Sequence, residues 1–419
     1  MILRQWPKKV IGLPFSRICC IKRAERVILF MPKDLKRPIA LVCCILFVLC
    51  SFCRTGLNAE TLPAQTVDTG SARAALLIDA SSGRVLFELN SREKLSVAGL
   101  TRLAPLLVIC EAFDSGVIAG ESVVNVDESA SRIGGTTAFL RAGESIDANS
   151  LLLAAAMINA GDATHTLACA AFGSETAAVS RINERICAIG VDAVYSDICG
   201  AGQSYSALEL ASVARELIKS PAYSRNGTKF YEHIAHENAG ATELANPNKL
   251  IKQYSGCLGV GTGSSNDAGY CGVFAARRGE SCYIAVVLGA KSGAERFETG
   301  RNLLDYGFSA YRSVRIGGAG EGFGSIPVKG SQTREINAIA KDDTVLLIST
   351  SKKEYAIETT LPEGLNAPIK KGDEVGMMTV RGADGEVLAE TMLVSDRDAE
   401  KSSFFDCLKL ILREFAKRI

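Results

Sequence analysis

The sequence predicts a mixed α/β domain, a small all-β domain after it and an amphipathic helix at the C-terminus. In residues 72–310, short β-rich runs alternate with stretches of helical apolar spacing. Residues 312–396 hold only short alternating runs, which are typical of a small sheet. The length of 419 residues suffices for two such domains plus terminal segments, and we place the domains at 68–311 and 312–396.

Residues 1–59 are expected to form a basic leader. Residues 1–37 carry ten Lys or Arg and only two acidic residues, and an uncharged run from Pro38 to Cys53 follows. That run is shorter than the ~20 residues of a spanning helix, which favours the core of a signal peptide. Cleavage would follow Ala59, and Met31 is an alternative start. An uncleaved membrane anchor is the competing interpretation.

The α/β domain is predicted from two kinds of segment. The β-rich runs are Ala74 to Ile78, Val85 to Leu89 and Tyr283 to Leu288. Helical spacing of apolar residues occurs at Leu151 to Met157, Leu208 to Ile218 and Glu295 to Phe308.

The β domain is predicted from four short runs, at Val345 to Ile348, Tyr355 to Thr360, Met377 to Val380 and Val387 to Val394. An Asp384-Gly385 pair separates the last two, and this dipeptide is a strong hairpin-turn signal.

The terminal segment, residues 400–419, has apolar side chains at helical spacing: Phe404, Leu408, Ile411, Phe415 and Ile419. Lysines and arginines fill the positions between them. A cationic amphipathic helix fits the surface of an anionic membrane. A helix packed on its own domain is the alternative.

Composition excludes several functions. The net charge of +1 implies no nucleic-acid-binding surface. Six of the fourteen cysteines lie at or before Cys53, and the other eight are scattered without a Cys-x-x-Cys pair, so we expect mostly buried thiols, with some disulfides after export left open. His233 and His236 could share a helical face, but no third ligand has recognisable spacing, so no metal is expected. No sequence feature indicates a cofactor.

Three short segments carry the information on function. Residues 97–103 read Val-Ala-Gly-Leu-Thr-Arg-Leu, residues 159–163 read Asn-Ala-Gly-Asp-Ala, and residues 261–263 read Gly-Thr-Gly, followed by Ala-Gly-Tyr-Cys at 268–271. In order and spacing they resemble the Ser-x-x-Lys, Ser-x-Asn and Lys-Thr-Gly motifs of the serine-type D-alanyl-D-alanine carboxypeptidases, which are low-molecular-mass penicillin-binding proteins.

The frame around these segments resembles the same family over roughly residues 68 to 419. The similar stretches are the opening hairpin at 74–86, the Asn-Pro-Asn-Lys-Leu at 246–250 and the Pro-Ile-Lys-Lys-Gly-Asp-Glu-Val-Gly at 368–376. The resemblance implies a β-lactamase/transpeptidase-like fold followed by a β-rich domain and a membrane-associating helix.

The resemblance also implies that every catalytic position has been replaced. The vestigial positions are Gly99 and Asn159 at the two serines, Arg102 and Gly261 at the two lysines, and Gly161 at the asparagine. Asp162, Thr262 and Gly263 remain and are candidates for binding substrate. Because Gly99 cannot be acylated and arginine does not deprotonate in proteins, the family mechanism should not operate.

A relocated nucleophile is the weaker alternative. Ser91 and Lys94 match Ser-x-x-Lys literally, as do Ser349 and Lys352, but both pairs lie outside the motif positions. Pro105 indicates a further change, since it would kink a helix running from Gly99 or restart it and leave residues 98–104 as a loop.

Two functions from different classes follow. The first is a catalytically inactive homologue in the bacterial envelope, at the outer face of the cytoplasmic membrane, which binds peptidoglycan stem peptides or a protein partner. The second is an active D-Ala-D-Ala carboxypeptidase with an unrecognised arrangement of its site. A spacer for the β domain and terminal helix is a third, purely architectural role.

Overall fold

A computed structural model describes residues 67–237, 240–350, 354–383 and 385–403. The predicted leader, with its Met31 start and Ala59 cleavage site, lies outside these residues. So do Lys352, Asp384, Cys407 and the predicted terminal helix from residue 404 onward. Among the described residues, no helix has the length and apolar character needed to cross a membrane.

A five-stranded antiparallel sheet forms the centre of the first domain. In sequence order its strands are β1 (Ala74–Asp79), β2 (Val85–Leu89), β9 (Cys257–Ser265), β10 (Gly269–Arg278) and β11 (Ser281–Ala290). The order across the sheet is β2-β1-β11-β10-β9, so β9 is an edge strand. Every residue of β1 is buried because the sheet is covered on both faces. The predicted strands at 74–78, 85–89 and 283–288 are confirmed.

Helices cover both faces of this sheet. They are α1 (Leu103–Asp114), α2 (Glu128–Ser131), α3 (Ala148–Ile158), α4 (Gly161–Phe172), α5 (Glu175–Ala188), α6 (Ala207–Leu217), α7 (Pro221–Gly227), α8 (Leu250–Gln253) and α9 (Gly293–Ala310). Helix α9 packs on β10 and β11, whereas α6 packs on β1 and β11 from the helical side of the domain. Helix α1 contacts α4, α5, α6 and α7, and nearly all of its side chains are buried. The predicted helices correspond to α3, α6 and α9.

The segment around Pro105 matches the restarted helix drawn from the sequence but not the loop expected before it. Ala98–Arg102 forms a 3-10 helix, and α1 follows directly from Leu103. Pro105 therefore occupies the first turn of α1, where its missing N–H would have no intrahelical acceptor. The expected loop at 98–104 was wrong, because a proline in a first turn requires no break in the helical path.

Three small two-stranded antiparallel sheets border the domain: β3 (Leu95–Ser96) with β6 (Ser204–Tyr205), β4 (Val123–Asn125) with β5 (Ser145–Asp147), and β7 (Tyr231–His236) with β8 (Gly240–Ala245). The helical pairing of His233 with His236 was wrong, because both residues lie in β7. Residues three apart in a strand face opposite sides. His233 is exposed, whereas His236 is half-buried and hydrogen-bonded to Glu144 (Nδ1 to Oε1, 2.7 Å).

The second domain begins where α9 ends and consists of strands. They are β12 (Tyr311–Gly317), β13 (Gly322–Lys329), β14 (Glu335–Ala340), β15 (Thr344–Ser349), β16 (Tyr355–Thr360), β17 (Leu365–Asn366), β18 (Glu374–Gly382) and β19 (Val387–Ser395). β12 pairs with β15, and the others form a sheet in the order β16-β18-β19-β14-β13-β17. The four predicted strands are confirmed as β15, β16, β18 and β19. A separate apolar core fills this domain.

The described cysteines are all free thiols. Cys110, Cys271 and Cys282 are buried in the first domain, and Cys187 is exposed on α5. The remaining three, Cys169, Cys199 and Cys257, are half-buried.

Candidate functional site

The fold brings the three sequence segments into contact. The 3-10 helix carries Gly99, the C-terminus of α3 carries Asn159, and β9 passes beside both. The Asn159 side-chain amide donates a hydrogen bond to the Gly99 carbonyl. A Cβ atom on Gly263 would lie only 2.9 Å from the Val97 carbonyl oxygen, so β9 approaches the 3-10 helix as closely as a glycine allows.

Arg102 lies across the centre of this site. Its Nη1 donates to the carbonyl oxygens of Asn159 at 2.9 Å and Thr136 at 3.2 Å. Its Nη2 donates to the carbonyl oxygen of Gly134 at 3.2 Å. These acceptors are neutral, and no described carboxylate forms an ion pair with Arg102. The charge of the Arg102 guanidinium is therefore not neutralised by a direct ion pair.

The space for the Arg102 guanidinium depends on Gly161. A Cβ atom at Gly161 would lie 2.9 Å from Arg102 Cζ and 2.8 Å from Ile133 Cγ2, closer than such atoms approach in proteins. A side chain at residue 161 and an arginine at residue 102 therefore compete for one volume. The two replacements in the resembling motifs are sterically matched.

Asn159 is the C-cap of α3 and has left-handed backbone angles (φ 60°, ψ 42°). Asparagine is among the few residues that adopt this conformation readily. The side chain is turned toward Gly99, and its Oδ1 atom is buried without a hydrogen-bond partner among the described residues. Asn159 thus connects α3 to the 3-10 helix.

On β9, Gly261 lies against the start of α1. A Cβ there would lie 3.3 Å from Leu100 Cδ2 and 3.4 Å from Leu103 Cδ2, so the strand packs on leucine side chains at this position. Val260, just before it, has a positive φ of 92°, and its N–H donates to the buried Tyr223 hydroxyl at 2.7 Å. Thr262 is half-buried.

Asp162 has a different role from the predicted one. It is 2% exposed, and its carboxylate accepts hydrogen bonds from the backbone N–H groups of Ala138 at 2.9 Å and Leu140 at 3.1 Å. It also accepts from the N–H of Ala163. A buried carboxylate with three donors holds the loop over residues 136–140 in place and is not free to contact a substrate.

A cleft of about 630 Å3 opens beside Gly99 and Arg102. Its wall is completed by side chains that the sequence analysis did not select, including His165, Glu175, Asp197 and Cys199. Thr262 and Gly263 are not part of this wall. No sequence motif marks these missed residues. The four-residue spacing of His165 and Cys169 could have indicated two polar side chains on one face of a helix.

The cleft contains no activated thiol. Burial raises the pKa of the Cys199 thiol, and the charge of Arg102 only partly opposes that effect. Since the thiolate is the nucleophilic form, Cys199 is held in its unreactive form at neutral pH. The same loop anchors the 3-10 helix, because Thr101 donates to the Cys199 carbonyl oxygen at 2.7 Å.

Comparison with known proteins identifies the family to which this fold belongs. The family profile for D-alanyl-D-alanine carboxypeptidases matches residues 60–292, and that for the C-terminal domain of penicillin-binding protein 5 matches residues 311–401. The first match alone covers more than half of the chain. The chain belongs to the D-alanyl-D-alanine carboxypeptidase family. The family resemblance drawn from the three segments is thus confirmed.

Individual relatives agree with this family assignment. The D-alanyl-D-alanine carboxypeptidase DacF of Bacillus subtilis is 31% identical over 354 residues, covering 83% of this chain and 90% of its own. DacC of Escherichia coli is 28% identical over 372 residues, covering 84% of this chain and 90% of its own.

Solved structures support the fold. Penicillin-binding protein 5 of Haemophilus influenzae aligns with a TM-score of 0.70 at 22% identity, over 81% of this chain and all of its own. Penicillin-binding protein 6B of Escherichia coli aligns with a TM-score of 0.63 at 22% identity, over 81% of this chain and 98% of its own. The predicted α/β domain followed by a β domain is therefore confirmed.

Proposed function

We propose that this chain is a non-catalytic member of the carboxypeptidase family that binds peptidoglycan stem peptides in the bacterial envelope. The observation that carries the proposal is the position of Arg102. Its guanidinium lies between the first two segments and the loop at 134–136, where it is hydrogen-bonded to three backbone carbonyl groups. A fixed positive charge therefore lies beside the cleft, where the family mechanism needs a serine and a base.

Loss of catalysis follows from the residue types. Serine-based acyl transfer needs a hydroxyl and a group that removes its proton. Gly99 offers no hydroxyl, and the guanidinium of Arg102 stays protonated in proteins. Loss of a serine nucleophile alone lowers turnover by about a millionfold in a well-studied protease. Residual binding does not depend on these groups.

The neighbouring serines offer no replacement. The Ser91 hydroxyl donates to Glu88 at 2.6 Å, and the Lys94 ammonium pairs with Glu209 at 2.6 Å, so this literal Ser-x-x-Lys match is divided between two separate contacts. Ser96 lines the cleft, but no described lysine or histidine is hydrogen-bonded to it. A hydroxyl without a base is a poor nucleophile.

Two features favour a peptide with a free carboxylate as the ligand. Three of the five N–H donors of Arg102 are engaged, which leaves two donors and a full positive charge beside the cleft. Strand β9 is the edge of the sheet, and an extended peptide can pair with an exposed strand edge. Thr262 and Gly263 on β9 would contact such a peptide through the strand.

We further propose export of the chain, with the terminal helix on the outer face of the cytoplasmic membrane. The support is the basic leader with its uncharged run and the cationic amphipathic segment at residues 404–419. Cell fractionation of the full-length chain and of a chain ending at residue 403 tests this. Equal release of both chains from membranes would contradict a role for the helix.

The catalytic part of the proposal is tested by mass spectrometry and product release. The purified full-length chain is incubated with excess benzylpenicillin and, separately, with a stem pentapeptide. We expect no mass increase and no free D-alanine, because there is no group to acylate. A stable adduct together with D-alanine release would establish the active alternative, and mapping the adduct would identify the nucleophile.

The binding part is tested by titrating a labelled stem pentapeptide into the chain. We expect saturable binding that weakens about tenfold in Arg102→Gln, which removes the charge beside the cleft. Arg132→Gln is the matched control, since it removes an exposed arginine paired with Glu128. Absence of binding, or equal weakening in both variants, would overturn the proposed ligand.

A further inference from the structure

Helix α4 carries a group of polar side chains that the proposed function does not use. His165 and Cys169 are four residues apart and therefore lie on one face of the helix. Asp127 precedes α2, which packs against α4. One ligand atom from each of the three side chains lies within 4.8 Å of the other two.

His165 is the centre of this group. Its side chain is 6% exposed, yet neither ring nitrogen has a nitrogen or oxygen partner within hydrogen-bonding distance among the described residues. Nδ1 lies 3.8 Å from Cys169 Sγ and 4.0 Å from Asp127 Oδ1. A buried imidazole normally has a hydrogen-bond partner on at least one nitrogen. Here the only such partner among the described residues is the Cys169 thiol, at the long distance that sulfur allows, and the Asp127 carboxylate lies beyond hydrogen-bonding distance.

We propose that Asp127, His165 and Cys169 form a zinc site, with a water molecule as the fourth ligand. Zinc binds nitrogen, sulfur and oxygen ligands with bonds of about 2.0–2.3 Å, so neighbouring ligand atoms of a tetrahedral site lie roughly 3.3–3.8 Å apart. The Nδ1 to Sγ distance of 3.8 Å already fits that separation, and the 4.0 Å distance to Asp127 requires only a small rotation.

The chemistry of the three ligands selects the class of metal. Calcium and magnesium prefer oxygen ligands only, whereas one imidazole, one thiolate and one carboxylate suit zinc and cobalt. Asp127 can serve without losing its structural role. Its Oδ1, the oxygen 4.0 Å from His165 Nδ1, accepts hydrogen bonds from the Ala130 N–H and the Ser129 hydroxyl, each at 2.7 Å, and its Oδ2 has no hydrogen bond among the described residues. A carboxylate has enough lone pairs to cap the helix through one oxygen and bind a metal through the other.

Glu175 is placed to support His165 as metal-binding histidines are usually supported, once the gap between the two side chains closes to a hydrogen bond. It begins α5, and its Oε2 lies 3.7 Å from His165 Nε2, on the side of the ring away from Cys169. A carboxylate on the second nitrogen fixes the tautomer in which Nδ1 is free to bind metal. Glu175 and His165 also line the cleft, which gives an ion a route to the site.

The inference is tested by metal binding to the purified full-length chain, freed of purification tags and of metal by dialysis against a chelator. We expect one zinc ion per chain, measured by calorimetry and by elemental analysis. Asp127→Asn keeps a good helix cap, and it, His165→Ala and Cys169→Ser should each weaken zinc binding at least tenfold. Glu175→Gln should weaken it by about tenfold, as expected for a residue that orients a ligand.

Cobalt supplies an independent readout. Cobalt bound by a thiolate has a sulfur-to-metal absorption band, which we expect in the parent chain and in Cys187→Ser but not in Cys169→Ser. His233→Ala, at an exposed histidine, should leave zinc affinity unchanged. Failure to bind zinc at about 10 μM, or equal affinity in parent, His165→Ala and Cys169→Ser, would overturn the site.

Discussion

Gly161 and Arg102 are sterically matched residues of the candidate site. The guanidinium lies where a side chain at residue 161 would begin, and Ile133 closes the other side of that space. Neither residue can change alone without either a clash or a void at the junction of the segments. The change in stability caused by a substitution at either residue therefore depends on the residue at the other position.

The first prediction concerns this pair. Gly161→Ala should destabilise the chain by about 1–3 kcal/mol through overpacking, although alanine is ordinarily the better helix former. In an Arg102→Ala background the penalty should fall by about 1 kcal/mol or more, because the nearest guanidinium atom has gone. Urea unfolding of the four chains measures the coupling.

Gly134→Ala is the control for this cycle, because a Cβ at that position would meet nothing within 4 Å. It should change stability little. Additive effects of the Gly161 and Arg102 substitutions would show that the two residues do not share a volume.

At the scale of helices and strands, the sequence predicted the elements that a local residue pattern marks. Helix α6 has regular apolar spacing, and its start is also marked by the capping box of Ser206 and Glu209. Strand β9 was not predicted because Gly259, Gly261 and Gly263 lower its strand propensity. Its hydrogen-bonded pairing with β10 holds these residues in the extended conformation. The Arg102 contacts could not be predicted either, since they join backbone carbonyls from distant segments.

The second prediction concerns the capping box of α6. Burial alone would raise the pKa of Glu209, but hydrogen bonds from Lys94, Ser206 and the Asp192 N–H outweigh it and lower the pKa below its usual value. A lowered pKa in the folded state stabilises the fold above the unfolded value of about 4.3, and this contribution is lost as the pH falls through the folded value.

Glu209→Gln should therefore cost about 1–3 kcal/mol at pH 7, and the difference from the parent chain should shrink as the pH falls below about 4. Urea unfolding at a series of pH values measures it. Glu128→Gln, at an exposed ion pair, should have little effect at any pH. A pH-independent cost at Glu209 would mean that packing, and not charge, sets its contribution.

At the scale of the whole molecule, the contacts that hold the fold do not involve the side chains at the motif positions. The sheet and the helices on both of its faces account for the family fold, and Asp162 and Thr101 anchor the loops around the site from outside the reacting positions. These supports therefore do not depend on the residues at the motif positions. This separation explains why three short segments indicated the family while predicting the loss of its mechanism.

The last prediction follows from that separation. Gly99→Ser alone should form no benzylpenicillin adduct, because Arg102 cannot remove the serine proton. A chain that combines Gly99→Ser, Arg102→Lys, Asn159→Ser, Gly161→Asn and Gly261→Lys should form a detectable adduct by mass spectrometry. A Cβ at residue 261 meets only the ends of two leucine side chains at 3.3 and 3.4 Å, which can shift. Lysine at 102 removes the two terminal guanidinium nitrogens beside residue 161, and the Ile133 side chain has to shift to admit asparagine there.

The control is the same fivefold chain with Gly99→Ala in place of Gly99→Ser, which has equal packing demands but no nucleophile. Circular dichroism establishes that both chains are folded. A folded fivefold chain that stays unmodified would contradict the prediction. The backbone carbonyl groups of Thr136 and Gly134 would then be examined next, because they accept hydrogen bonds from Arg102. The same carbonyl groups could hold a lysine at residue 102 away from the serine at residue 99.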